Sequence, residues 1–244
     1  MKALRFLLII VCTLSLTGCA STKQADSDSS LGKAQQTLDS LYQHYSAKDS
    51  YLLRESYPFD EQHKVTYLAS EDQANTPNQF SYLWPYSGTF SAVNALFEAT
   101  HDKKYQKLLD KRVLPGLEEY FDIQRTPNAY SSYIQTAPTS DRFYDDNVWL
   151  GIDFTDIYQI TQEKRYLDKA QLIWKFIESG TDSLLGGGIY WCEQKKESKN
   201  TCSNAPGSVL ALKLFKATND SIYFRQGKEL YEWTQKNLQD STDY

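Results

Sequence analysis

The chain has 244 residues, 41% of them hydrophobic and 23% charged, with 18 Tyr, 11 Phe and 5 Trp. That much apolar and aromatic material can fill a globular core, which excludes a disordered chain. The formal net charge is −5 and no long basic run occurs, so a nucleic-acid partner is excluded on electrostatic grounds.

At the N-terminus, Lys2 and Arg5 precede the apolar run "FLLIIVCTLSL", which is 11 residues long. A bilayer span needs about 20, so residues 1–18 read as a signal peptide. The run ends in Leu16-Thr17-Gly18-Cys19, similar to a bacterial lipobox, where cleavage before the cysteine frees it for acylation. An ordinary secretory peptide with a chance cysteine is the bland alternative. Ala20 in place of an aspartate after Cys19 points, by analogy with Gram-negative lipoproteins, to the outer membrane. Residues 19–30, including "STKQADSDSS", read as a flexible tether, and residues 31–244 as the folded domain. Removing residues 1–18 takes away Lys2 and Arg5 and no acid, leaving a net charge of −7. With Cys12 cleaved off and Cys19 acylated, Cys192 and Cys202 are the pair left in an oxidising compartment. A disulfide between them is expected, against the alternative of two unrelated thiols.

The folded part carries a repeat. "LFEATHDKKY" at 96–105, "IYQITQEKRY" at 157–166 and "LFKATNDSIY" at 214–223 align without gaps, and Thr100, Thr161 and Thr218 are 61 and 57 residues apart. That period accommodates two helices and two loops. Val93, Phe97 and Thr100 keep helical spacing before the motif, as do Leu150, Phe154 and Ile157, and Leu210, Leu214 and Ala217. Leu167, Ala170, Trp174 and Ile177 do so after it. Asp102, Glu163 and Asp220 fall where a second helix starts, where a carboxylate caps free N–H groups and meets the positive end of the dipole. Each motif is therefore a helix–turn–helix corner, and its Thr and Tyr are packing and capping residues rather than catalysts. A period near 60 is longer than the 33–47 residues of αα solenoids and points to a ring of inner and outer helices. Residues 31–244 hold about 3.6 such units, whereas six would need about 350 residues by the same repeat, so an incomplete ring is expected.

Residues 80–238 resemble a known family through "YLWPYSGTFSAVNAL", "FYDDNVW", "GGGIYW" and "NTCSNAPGSVLALKL". These stretches are similar to glycoside hydrolase family 76, the bacterial endo-α-1,6-mannanases and related fungal wall transglycosidases. The resemblance implies an all-α fold of (α/α)6 toroid type, α-mannan or a manno-oligosaccharide as partner, and Asp145 and Asp146 as the catalytic pair. In it the first aspartate is the nucleophile and the second the general acid/base of a retaining mechanism.

Physical chemistry permits this assignment. Retention needs two carboxyl groups about 5 to 5.5 Å apart, and adjacent residues in a first helical turn can both reach one groove. There the dipole keeps one carboxylate ionised, while its charge and partial burial raise the proton affinity of the other. Without the resemblance, two acids at a helix start would read as plain capping. Tyr144, Trp149, Trp84, Tyr86, Tyr190 and Trp191 are the aromatic candidates for stacking on sugar faces, although about half of such rings should be core. Asn147, Gly187, Gly188 and Asn204 complete the expected substrate contacts. Gly186–Gly188 lacks the Lys and Ser/Thr of a phosphate loop. His44, His63 and His101 show no metal spacing, so neither metal nor cofactor is expected. The chain is expected to act as a monomer. Two other readings stay open: a non-catalytic carbohydrate-binding lipoprotein, and a different sugar enzyme on the same ring, such as an epimerase or polysaccharide lyase.

Overall fold

The computed structural model describes residues 29–62 and 78–242. The expected signal peptide, Cys19, most of the tether and His63 lie outside these residues. The described chain is all-α apart from one two-stranded ribbon, β1 (Phe121–Asp122) and β2 (Ala129–Tyr130), paired antiparallel with Phe121 opposite Tyr130.

After α1 (Ser30–Tyr45), capped by Ser29 Oγ accepting from Gly32 N at 3.0 Å, come three helical hairpins. The first pairs α2 (Leu83–Thr100) with an outer helix that runs as α3 (Lys103–Leu108), a π-turn (Leu109–Val113) and α4 (Leu114–Glu118). The second pairs α5 (Tyr144–Thr161) with α6 (Lys164–Ser179), and the third α7 (Thr201–Thr218) with α8 (Ser221–Leu238). The first helices of the hairpins touch in succession, α2 to α5 to α7, and form an inner layer; each second helix packs outside its own partner.

Residue chemistry explains the two layers. On α5, residues such as Val148, Leu150, Ile152, Phe154 and Ile157 are buried on several sides, as expected for a helix enclosed between neighbours. On α6, Tyr166, Leu167, Ala170, Ile173, Trp174 and Ile177 form one apolar stripe with charged residues opposite, the pattern of an outer helix. Inner helices approach closely: a Cβ on Gly151 would lie 2.5 Å from Leu210 Cδ2.

The three repeated motifs fold into the same corner. Thr100, Thr161 and Thr218 each donate a hydroxyl hydrogen bond to the carbonyl four residues back, at 2.6, 2.7 and 2.8 Å. Each then accepts from the N–H two residues ahead. Between them, His101, Gln162 and Asn219 take left-handed backbone conformations, with φ of 54°, 60° and 58°. Threonine can thus close the inner helix and open the turn with one hydroxyl. Asp102 and Asp220 cap the next helix through Lys104 N and Ile222 N. Glu163 does not; its carboxylate accepts instead from Gln106 Nε2 and Arg165 Nε.

Candidate active site

The paired aspartates occupy the first turn of α5. Phe143, just before the helix, is extended and makes an antiparallel bridge with Cys192. Tyr144 N donates to Trp191 O at 2.9 Å, and Glu193 N to Arg142 O at 3.0 Å. The start of α5 is therefore bound edge to edge with residues 191–193.

A buried arginine clamps this junction. Arg142 is 1% exposed, and its guanidinium pairs with the carboxylate of Glu193, donates to Pro127 O at 2.9 Å, and lies 3.7 Å from Asp122 Oδ2. It also sits 5.0 Å above the ring of Phe176. A buried guanidinium is tolerable only when its donors are met this fully. The clamp ties β1, the turn after it and residue 193 to residue 142, two positions before α5.

A second device holds residues 182–191. Lys199, its side chain 1% exposed, donates to Asp182 Oδ1 at 2.6 Å, Leu184 O at 2.9 Å and Gly187 O at 2.8 Å, using all three ammonium protons. Asn204 adds a two-point bond to the backbone of Ile189, accepting from its N at 2.6 Å and donating to its O at 2.9 Å. Gly188 has φ +82°, and a Cβ there would lie 2.6 Å from the indole of Trp233, so only glycine fits.

These elements surround a cleft of about 230 Å³ lined by Tyr82, Trp84, Ser132, Phe143, Asp145, Asp146, Trp149, Trp191 and Cys202. Trp84 and Trp149 stand 52% and 40% exposed at its rim, so their faces are open to a ligand. Inside, Asp145 Oδ2 accepts the indole N–H of Trp191 at 3.1 Å, while Asp145 Oδ1 is buried without a hydrogen-bond partner among the described residues. The Cys202 thiol lies against the same carboxylate.

The two carboxyls differ in environment. Burial pushes Asp146 well above the usual carboxylate range, and the negative charge of Asp145 pushes it further. Burial also raises Asp145, but the Trp191 indole, the Cys202 thiol and backbone N–H groups at the helix start pull it back. Both carboxyls therefore stay above the usual range, and Asp145, the less raised, is the more readily ionised of the two.

Two turns further along α5, Asp153 is 6% exposed and accepts from Ser91 Oγ at 2.7 Å. Burial is the main cause that raises its pKa to about 7, with Asp156 adding to the effect. Lys213 pairs with Asp156.

Of the expected substrate contacts, Trp84, Trp149 and Trp191 meet the aspartates in the cleft. The others lie elsewhere. Tyr86 is 1% exposed in the core and donates to Val113 O at 2.9 Å; Tyr144 is equally buried and stacks on Phe176 with centroids 4.6 Å apart. Asn147 is used entirely by backbone, bonding Tyr130 N, Tyr130 O and Phe143 O, and Asn204 does the same at Ile189. Tyr190 donates its hydroxyl to Asp182 at 2.7 Å. Gly187 and Gly188 line a separate hollow of about 360 Å³ between α6 and α8, lined also by Trp174 and Trp233 and sharing no residue with the cleft of the carboxyls.

The expected Cys192–Cys202 disulfide is not formed; both thiols are free. Cys192 is buried against Gln194, 3.9 Å from its Oε1, whereas Cys202, in the first turn of α7, faces the cleft. The two side chains serve different surroundings. Among the described residues no group of His, Cys, Asp and Glu could hold a metal ion, and no helix is long and apolar enough to cross a membrane. Sequence reasoning did not single out Tyr82, Ser132, Phe143 or Cys202 as cleft residues. Tyr82, Phe143 and Cys202 stand inside the motif stretches and could have been found there; Ser132 has no local signal.

Comparison with known proteins adds to this geometry. The model for glycosyl hydrolase family 76 matches residues 56–244. No curated protein matches the chain. A family 76 mannosidase from Bacteroides thetaiotaomicron superposes with a TM-score of 0.73 at 30% identity, covering 87% of this chain and 55% of its own. A family 76 glycoside hydrolase from a bovine strain of the same species gives 0.71 at 29% identity, covering 88% and 44%. An α-1,6-mannanase from Salegentibacter sp. HEL1_6 shares the fold, with a TM-score of 0.64 at 23% identity and coverage of 87% and 53%. That enzyme was solved as an inactive variant, with two consecutive aspartates replaced by asparagine, in complex with α-1,6-mannotriose. The chain thus spans about half the length of the solved relatives it matches.

Proposed function

The chain belongs to glycosyl hydrolase family 76, and from that premise we propose that its cleft cleaves α-1,6-mannosidic linkages by a retaining double displacement. Asp145 is the nucleophile and Asp146 the general acid/base. One observation carries the assignment: in the cleft wall Asp145 has one oxygen anchored by the Trp191 indole and the other without a hydrogen-bond partner among the described residues, next to a deeply buried Asp146.

In the first step the carboxylate of Asp145 attacks the anomeric carbon while Asp146 gives its proton to the departing glycosidic oxygen. The glycosidic C–O bond breaks and an ester to Asp145 forms. Ester formation removes the negative charge beside Asp146, so Asp146 releases a proton more readily and can act as base. In the second step it takes a proton from water, whose oxygen attacks the same carbon and frees Asp145. Two inversions give net retention. Trp84 and Trp149 supply flat apolar faces at the rim for sugar rings, and the paired aspartates replaced in the inactive mannanase variant support the same two residues here.

The same proposal includes a monomer tethered to the outer membrane through an acylated Cys19. Cys19→Ala should then leave an unprocessed precursor that takes up no labelled palmitate; equal labelling of the two would exclude the anchor.

The function is tested by following α-1,6-mannan hydrolysis with proton NMR in the first minutes of reaction. The α-anomer of the new reducing end should appear first and mutarotate later. Initial release of the β-anomer would overturn the retaining mechanism, and manno-oligosaccharide binding without any cleavage would make the protein a carbohydrate-binding module.

A further inference from the structure

Ser132 lies two residues after β2, and its backbone is fixed on both sides. Its N–H donates to Asp141 O at 2.8 Å and its carbonyl accepts from Leu83 N at 2.9 Å, which also holds the start of α2 in place. Its hydroxyl is treated differently. Ser132 is 3% exposed, yet Oγ has no hydrogen-bond partner among the described residues. Nearby serines show that partners exist in this loop: Ser131 Oγ accepts from Arg125 Nη2 at 3.0 Å, and Ser140 Oγ accepts from Tyr133 N at 3.0 Å. Buried hydroxyls are normally paired because an unmade hydrogen bond leaves the desolvation cost uncompensated. Among the described residues Ser56, Ser81 and Ser203 also bury an unpaired hydroxyl, but Ser132 is the one of these four that lines the cleft, with Tyr82, Trp84, Asp145 and Asp146.

We propose that Ser132 is a substrate-contacting residue whose hydroxyl is kept unpaired for a ring hydroxyl of the mannosyl residue seated against Asp145 and Asp146. This rests on the reading of the cleft as a mannan site. A serine hydroxyl can both donate and accept, so it matches a sugar hydroxyl in either sense. Its rigid backbone means that little freedom is lost when the contact forms.

The test measures α-1,6-mannotriose affinity by titration calorimetry, in the full chain carrying Asp146→Asn to prevent turnover. Adding Ser132→Ala should weaken binding by about three- to tenfold, the worth of one net hydrogen bond. The thermal midpoint should be unchanged or slightly raised, since no protein hydrogen bond is lost. One of a series of monodeoxy mannotrioses should bind the parent more weakly by a similar factor, yet bind the Ser132→Ala protein like mannotriose itself. Equal mannotriose affinity in both proteins overturns the proposal alone. So does a loss of affinity that every deoxy analogue shares, because that marks a structural role. If the parent binds no manno-oligosaccharide, the cleft reading falls and the proposal with it.

Discussion

The indole N–H of Trp191 reaches Oδ2 of Asp145 at 3.1 Å, joining residues 46 positions apart in the chain. It lowers the pKa of a carboxyl that burial raises, and so helps to keep the proposed nucleophile ionised. Trp191→Phe keeps the ring but removes the donor. The acid limb of the kcat/KM profile should then move to higher pH, and activity near pH 5 should fall about tenfold or more, the scale of a hydrogen bond to a charged group. An unshifted acid limb would show that the indole only packs.

The two aspartates should fail in different ways. Asp145→Asn and Asp146→Asn should both lose nearly all activity on α-1,6-mannan, since an amide neither attacks the anomeric carbon nor transfers the proton. With α-mannosyl fluoride, which needs little acid assistance, Asp146→Asn should still form the glycosyl-enzyme, and azide should divert it to the α-mannosyl azide. In Asp145→Asn, azide should take the vacated place of the carboxylate and give the β-mannosyl azide. The reverse pattern of products would exchange the two roles.

Cys202 gives a reading of the cleft that does not depend on turnover. Burial, followed by the adjacent Asp145 carboxylate, pushes its thiol up to about 11. Iodoacetamide should therefore label it slowly at pH 8, because only the thiolate reacts. Asp145→Asn removes the opposing charge and should speed labelling several-fold at the same pH. Equal rates would separate the two groups. A Cys202 that labels only after reduction would restore the disulfide.

Asp153 makes stability depend on pH. Its folded-state pKa of about 7 lies above the ordinary carboxylate value of 3.8, so the folded chain holds a proton that the unfolded chain has released. At pH 4 and below the group contributes little. As pH rises through the window from 4 to 7 the unfolded state is favoured, and above 7 the penalty is complete, at up to about 4 kcal/mol. Asp153→Asn retains an acceptor for Ser91 and never ionises. Its denaturation midpoint should match the parent near pH 4 and exceed it increasingly toward pH 8. A constant difference across that range would show that Asp153 does not titrate there.

The helical hairpins and the place of the aspartates could be read from sequence because both depend on short-range rules. Each Thr–αL–acid corner closes within a few residues, through a hydroxyl bond to the carbonyl four back and an N–H two ahead. The same local logic placed Asp145 and Asp146 in a first helical turn. Which aromatic rings meet the ligand was not local. Trp84 and Tyr86 lie two residues apart on α2, roughly 200° around the helix, and the sequence pattern recommends both; α2 turns Tyr86 into the core and leaves Trp84 half exposed. Tyr190 and Trp191 are adjacent, yet Lys199 and Asp182 hold the first down while the second reaches Asp145. Likewise the spacing of Cys192 and Cys202 suggests a bridge, but the fold gives one to a buried loop and the other to the cleft. A side chain's direction relative to its own helix is set by neighbours along the chain. Whether that direction is dry, wet or catalytic depends on elements packed against it from tens of residues away, and only the assembled hairpins decide that.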